Sequence, residues 1–191
     1  MTALTLLIIR HAEKPGEDWP GPGLTEDGQQ DTESLVIRGW QRAGAWAALF
    51  GAGLGGADYP APQIIYAAKP GASDDLNDGP SRRPAETIWA LAPRLGLKPI
   101  ESIAKGEEKK LVEDVLAKSG VVLVAWEHKA IISDILPRIP VIAGTSLLDH
   151  WSGHRYDVVL RFDRAEGATE FSFRQLFPKL LSGDSDQPLK A

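Results

Sequence analysis

Apolar positions follow two rhythms along this chain. Residues 4–9, 63–68 and 120–126 are short, nearly continuous apolar runs with the length and β-branched content of strands buried on both faces. A stretch with helical spacing follows each. The first predicted helix spans 34–50 and brings Val36, Trp40, Ala43, Ala47 and Phe50 to one side, ending at the glycine-rich 51–56. A second starts near Pro84, with Ile88, Leu91 and Leu95 on one face and Pro93 positioned to bend it. A third covers 107–118, with Leu111, Val112, Val115 and Leu116 inward and Lys109, Lys110 and Lys118 toward water; a fourth covers 129–136. Strands alternating with helices at these lengths predict right-handed crossovers on a largely parallel sheet with helices on both faces, an α/β three-layer sandwich. Residues 156–162 and 170–173 read as a terminal strand pair, 71–80 as a polar loop and 182–191 as a frayed, flexible tail, leaving one domain over 1–181.

Composition narrows the function classes. A chain of 191 residues, 43% hydrophobic and 25% charged, supports one sizeable core. It contains no cysteine, which excludes disulfides, thiolate metal sites and cysteine nucleophiles. A net charge of −5 argues against a broad nucleic-acid face, so an anionic ligand needs a local positive pocket. The sequence holds no run long enough for a membrane span. The opening apolar run lacks the basic lead and small-residue cleavage site of a signal peptide, and the expected location is the cytoplasm.

In open α/β sheets ligands bind beyond the carboxyl ends of the strands. The first run ends in Arg10 and His11, the third leads into Glu127 and His128, and the second leads through its loop to Arg82 and Arg83 at a helix start. Lys14, Lys69 and Lys129 are close to these in sequence. Singly, each has a bland explanation, since a histidine after a strand is most often a hydrogen-bonded structural residue. Together they make an anion pocket in an acidic protein. Phosphate suits it, because guanidinium forks bind phosphate oxygens and helix N-termini add backbone donors. An imidazole can attack phosphorus near neutral pH without a separate base.

Residues 8–13, Ile-Ile-Arg-His-Ala-Glu, resemble the Arg-His-Gly motif that opens the histidine phosphatase superfamily, the phosphoglycerate-mutase-like proteins, and are followed by Leu24-Thr25-Glu26-Asp27-Gly28. Arg83-Pro84-Ala85-Glu86-Thr87 is similar to the motif carrying the second arginine, residues 122–128 to the strand that delivers the second histidine, and 171–184 to the final strand with its polar end. The resemblance covers nearly the whole chain. It implies a metal-independent, cofactor-free phosphatase that acts on a phosphomonoester or phosphoprotein. His11 would be the nucleophile that forms a phosphohistidine, with Arg10, Arg83 and His128 gripping the phosphoryl oxygens. The partners it implies are a small phosphorylated metabolite or a phosphoprotein, not nucleic acid or membrane. Its alternatives are a mutase-type phosphotransferase, a form usually longer than this chain, and a non-catalytic phosphate-binding module. Superfamily proton donors often lie between the second arginine and the second histidine, which points to Glu107 or, by preference, Glu108, with Glu127 as rival. Lys14, Lys69, Arg82 and Glu127 are the expected substrate contacts. The chain departs from the pattern at Ala12, where glycine is usual, and at Glu127, where glycine or alanine is usual and where a carboxylate would repel phosphate or raise the basicity of His128. Residues 69–81 form a longer loop than the shortest family versions and are expected to shape substrate access.

Other patterns compete with this reading. The glycines of 51–56 fit a dinucleotide fingerprint, but they follow a helix and lead to prolines, so a helix terminator is the better reading. His150 and His154 have the spacing of helical zinc ligands, but Gly153 intervenes and no glutamate follows His150; a loop or pocket rim is expected. The tryptophans, including Trp40, Trp46 and Trp89, are expected in the core, with Trp19 a candidate lid over the substrate. The lysines of 105–110 read as a solvated helix face.

Overall fold

The three apolar runs become the parallel part of one sheet in the computed structural model, which describes residues 1–16, 18–53, 55–71 and 81–190. Strand β1 (Leu4–Arg10), β2 (Ile64–Ala67) and β3 (Gly120–Trp126) are parallel, with β3 in the middle; Arg10 is in register with Trp126, and Ala67 with Ala125. On the other edge of β1, β4 (Val159–Arg164) pairs antiparallel, and β5 (Ser172–Leu176) reverses it again. The order is β2-β3-β1-β4-β5, so the parallel core carries a terminal hairpin.

Alternation along the strands supplies two apolar faces. Leu6, Ile8, Val122, Val124 and Trp126 pack beneath Leu111, Val112 and Val115 and beneath Ile131 and Ile135. Leu7, Ile9, Leu123 and Ala125 pack against Trp46, Ala47, Phe50, Ile88 and Leu91. The second face is thus covered by helices α1 (Ile37–Gly51), α2 (Arg83–Ile88) and α3 (Leu91–Arg94). The first is covered by α4 (Glu108–Leu116) and by α5 (His128–Ala130), which continues as a π turn at Ile131–Ile135 and a 3₁₀ turn at Leu136–Arg138.

Several elements differ from expectation for identifiable reasons. α1 begins at Ile37 rather than Ser34, because Glu86 accepts from Ser34 Oγ (2.6 Å) and Leu35 N (2.8 Å) while Val36 N donates to Glu13 O. The second helix divides into α2 and α3, and Pro93 has no N–H to offer the Trp89 carbonyl one turn back. Pro137 has the same defect toward Ser133, and the predicted fourth helix leaves α geometry before reaching it. Glycines 51, 53 and 56 end a helix: Gly53 and Gly56 have φ of +66° and +61°, and a short 3₁₀ turn follows. Trp46 is in the core, but Trp89 is 55% exposed and rests edge-on against Trp40, 6.0 Å between centroids.

The end of the chain, expected to fray, is tied down in the structure. Arg42 binds both oxygens of Asp184 at 2.7 and 3.0 Å, Asp157 accepts from Ser185 N, Gln175 exchanges two hydrogen bonds with Leu189, and Leu189 is buried. Of the 69–81 loop, residues 72–80 lie outside the described residues.

Candidate active site

The site forms where the parallel strands stop. The β1–β3 ladder continues one residue beyond the strands, His11 N donating to Trp126 O at 2.9 Å, so His11 leaves the sheet beside Glu127 and His128. α2 closes on it from the other face: Ala12 N donates to Thr87 Oγ1 (2.8 Å), and the same hydroxyl donates to the Arg83 carbonyl (2.7 Å). One threonine therefore joins the first motif to the second. That contact is the physical content of the threonine four residues after Arg83.

His11 is buried, and its Nδ1 lies 2.8 Å from the Ala12 carbonyl oxygen. A carbonyl only accepts, so Nδ1 carries the hydrogen and Nε2 keeps its lone pair. Burial holds the imidazole well below the usual histidine range, and repulsion from Arg10 and Arg83 adds to this; the Ala12 carbonyl and Glu127 pull partly the other way. The ring is thus neutral at pH 7 and presents a free nucleophilic nitrogen.

The cations around it are incompletely satisfied. Arg10 is 1% exposed, and its Nη1 donates to the carbonyls of Ser152, Gly153 and Arg155 at 3.2, 2.8 and 3.0 Å. Arg83 Nη2 donates to Thr32 O (2.6 Å) and Glu33 (3.3 Å). Yet Nε of Arg10 and Nε of Arg83 are both buried without a hydrogen-bond partner. Buried donors are nearly always paired, so two orphans on two motif arginines point to an anion that would satisfy them. Burial lowers the Arg10 pKa from its ordinary value despite the opposing influence of Tyr156, Glu127 and Glu13, so its charge is short of compensation.

Glu127 does not behave as a repelling wall. It caps α5, accepting from Lys129 N and Ala130 N at 3.0 and 2.9 Å, and its Oε1 lies 2.7 Å from His128 Nδ1. Burial alone would raise the Glu127 pKa; its contact with His128 and the two backbone donors overcome this and hold the carboxyl well below the usual carboxylate range.

Other expected site residues are placed differently. Arg82 is exposed and answers Glu26 (3.4 Å), Glu86 (3.6 Å) and Asp31 (4.0 Å). Lys14 and Lys69 are exposed on the surface. Glu107 is exposed and takes Ala104 N. Glu108, expected on a solvated helix face, is 4% exposed; both its oxygens accept from Gly106 N, and Oε1 also accepts from the Trp126 indole at 2.9 Å. Trp19 lies under the Arg38 guanidinium, 4.3 Å away. His154 contacts Asp18 at 2.5 Å, and among the described residues no group of three His, Cys, Asp or Glu is placed to share a metal.

Sequence reasoning missed Tyr156. Its ring lies 3.8 Å from the Arg10 guanidinium and 6.2 Å from the His11 ring, and burial raises its pKa against the influence of Arg10. β4 runs opposite to β1, which brings the residues before it, 152–156, to the same sheet edge as His11. Strand direction was the missing signal.

No protein-family model and no curated protein sequence matches the chain. Among solved structures, the protein histidine phosphatase SixA complexed with tungstate aligns over 91% of this chain and 97% of that chain, with a TM-score of 0.56 and 12% identity. A mycobacterial hydrolase 2 aligns over 97% of this chain and 95% of that one, with a TM-score of 0.47 and 16% identity. The likeness to SixA is one of architecture, and by it the chain has the α/β, phosphoglycerate-mutase-like fold of the histidine phosphatases.

Proposed function

We propose that the protein is a metal-independent phosphatase that hydrolyses a phosphomonoester or phosphoprotein through a phosphohistidine on His11. The observation that carries this reading is a buried, neutral imidazole whose Nδ1–H is committed to a carbonyl, beside buried arginine donors with no partner. Nε2 attacks phosphorus, the bond from phosphorus to the leaving oxygen breaks, and that oxygen takes a proton; water then cleaves the P–N bond and regenerates the neutral ring. Arg10, Arg83 and His128 supply charge where the equatorial oxygens gather it, the main demand of phosphoryl transfer. The tungstate bound by SixA, an oxyanion, suits the same reading. We assign Glu127 to orienting His128. Glu108, whose carboxylate is met only by N–H donors, we assign to fixing Trp126 and the first turn of α4.

The test is chemical. Protein incubated with a labelled phosphoryl donor and quenched should carry an acid-labile, alkali-stable label, and His11→Gln should carry none. Hydrolysis of an aryl phosphate should persist in excess EDTA. Label surviving the substitution would move the nucleophile elsewhere, and activity lost to EDTA and restored by zinc or magnesium would refute the metal-independent mechanism.

A further inference from the structure

A cavity of about 450 Å³ opens beside the site and shares His128 with it. Its other walls are Lys129 and Ile132 from the helical segment after β3, and Asp149, His150 and Trp151 from the loop before β4. This volume is on the scale of a small-molecule pocket, which typically occupies roughly 300–1,000 Å³. The Lys129 ammonium and the side chains of Asp149 and His150 make no hydrogen bond or ion pair among the described residues, although most ionic groups nearby do: Arg155 holds Asp157, and Arg138 holds Asp134. Ile132 and the buried Trp151 give the cavity an apolar side.

The loop that forms the wall is not loose. Arg10 Nη1 grips the carbonyls of Ser152, Gly153 and Arg155, and Trp151 Nε1 donates to Arg155 O at 2.9 Å. The guanidinium assigned to the phosphoryl group therefore also fixes the wall that would meet the rest of the substrate. A group bonded to that phosphoryl and lying past His128 enters the cavity and meets a cation, an imidazole and a carboxylate.

We infer that this cavity is the leaving-group pocket and that it selects a phosphomonoester whose alcohol is small and zwitterionic, carrying a carboxylate for Lys129 and His150 and an ammonium for Asp149. The inference rests on the phosphatase reading of the adjoining site. A purely anionic arm would face Asp149 and a purely cationic one Lys129, whereas an arm with both charges satisfies each wall.

The experiment compares kcat/KM for O-phosphoserine, phosphoethanolamine, phosphoglycolate and nitrophenyl phosphate in the wild type and in Lys129→Met and Asp149→Asn. Both positions are exposed, so neither substitution disturbs the core. Phosphoserine should be preferred over the two singly charged alkyl esters. Relative to nitrophenyl phosphate, Asp149→Asn should lower the two amine-bearing substrates about tenfold, and Lys129→Met should lower the two carboxylate-bearing ones by a similar factor, each about the size of one charge-assisted hydrogen bond. If nitrophenyl phosphate is turned over through His11 but these ratios do not move, the pocket assignment is wrong and the phosphatase reading stands. If no ester is turned over, the phosphatase reading fails, and calorimetry decides the pocket. Phosphoserine binding tighter than inorganic phosphate, and weakened to the phosphate level in both variants, supports it; equal binding overturns it.

Discussion

The protein buries two clusters of charge, and they are built on opposite principles. In one, Arg42 spans Glu13 and Asp184 with every nitrogen engaged, at 2.7 to 3.1 Å. In the other, Arg10 and Arg83 are also buried, at 1% and 8% exposed, yet each keeps a buried Nε without a partner. Their pKa directions separate in the same way. Burial works to lower both Arg42 and Arg10, but the hydrogen bonds that Arg42 donates to Asp184 and Glu13 carry it above its ordinary value, while Arg10 stays below its own. A satisfied buried charge is a fastener; on the proposed reading, an unsatisfied one keeps a donor for the phosphoryl group. Glu13, two residues after His11, belongs to the fastener and joins α1 and the chain terminus to the segment that carries His11.

If that contrast is right, loss of a guanidinium should do different damage at the two places. The largest effect is expected at Arg83: Arg83→Ala should lower kcat/KM by on the order of 10³, because it removes charge stabilisation from the transition state, whereas Arg82→Ala, on the surface among three carboxylates, should change it less than about fivefold. Equal losses in steady-state kinetics would mean that Arg82 also reaches the substrate.

Arg42→Met should damage the fold instead. It leaves the buried Glu13 and Asp184 with only the longer contacts of Arg38, at 3.4 and 3.9 Å, and breaking a buried pair costs about 3 kcal/mol, to be read as a fall in the denaturant midpoint. A midpoint unchanged within about 0.5 kcal/mol would show that the cluster does not hold the terminus.

A smaller effect is expected in the pH dependence of stability. The folded state keeps His11 neutral well below its ordinary pKa, while the unfolded chain protonates near about 6.5. Between those values the unfolded state binds more protons, so stability falls as pH falls through and below about 6.5 and does not change on this account above it. From pH 7.5 to 5.5 the wild type should lose about 1 kcal/mol that His11→Gln does not lose. Parallel curves for the two proteins would show that the ring accepts a proton without cost.

The smallest effect is expected at Glu108. As a holder of Trp126 it should, when changed to Gln, alter alkyl and aryl phosphate turnover by the same factor, within about threefold. A general acid contributes about 10² to 10⁴, mostly for basic leaving groups, so a selective loss on the alkyl ester would make Glu108 the proton donor after all.

What the sequence disclosed was local. Runs 4–9, 63–68 and 120–126 are apolar enough to be buried on both faces, so the parallel core was legible. Strand ends follow from strand runs, which placed Arg10, His11 and His128 at one edge before any coordinates. Proline chemistry foretold trouble at Pro93, although not the division into α2 and α3. The burial of Glu108 was not legible, because its lysine neighbours face water and helical periodicity in a short element cannot reveal that the indole of Trp126, 18 residues away, needs an acceptor.

The apolar strands, the helices that cover them and the motif residues at the strand ends can be read along the chain, because burial and periodicity act over a few residues. That Tyr156 faces Arg10, that Asp184 locks onto Arg42 across 142 residues, that Glu127 caps a helix and that Arg10 fixes the wall of a cavity emerges only in the folded protein. Those outcomes depend on strand direction and on which buried charges find partners, and both are set by chain segments that meet only once the sheet has formed.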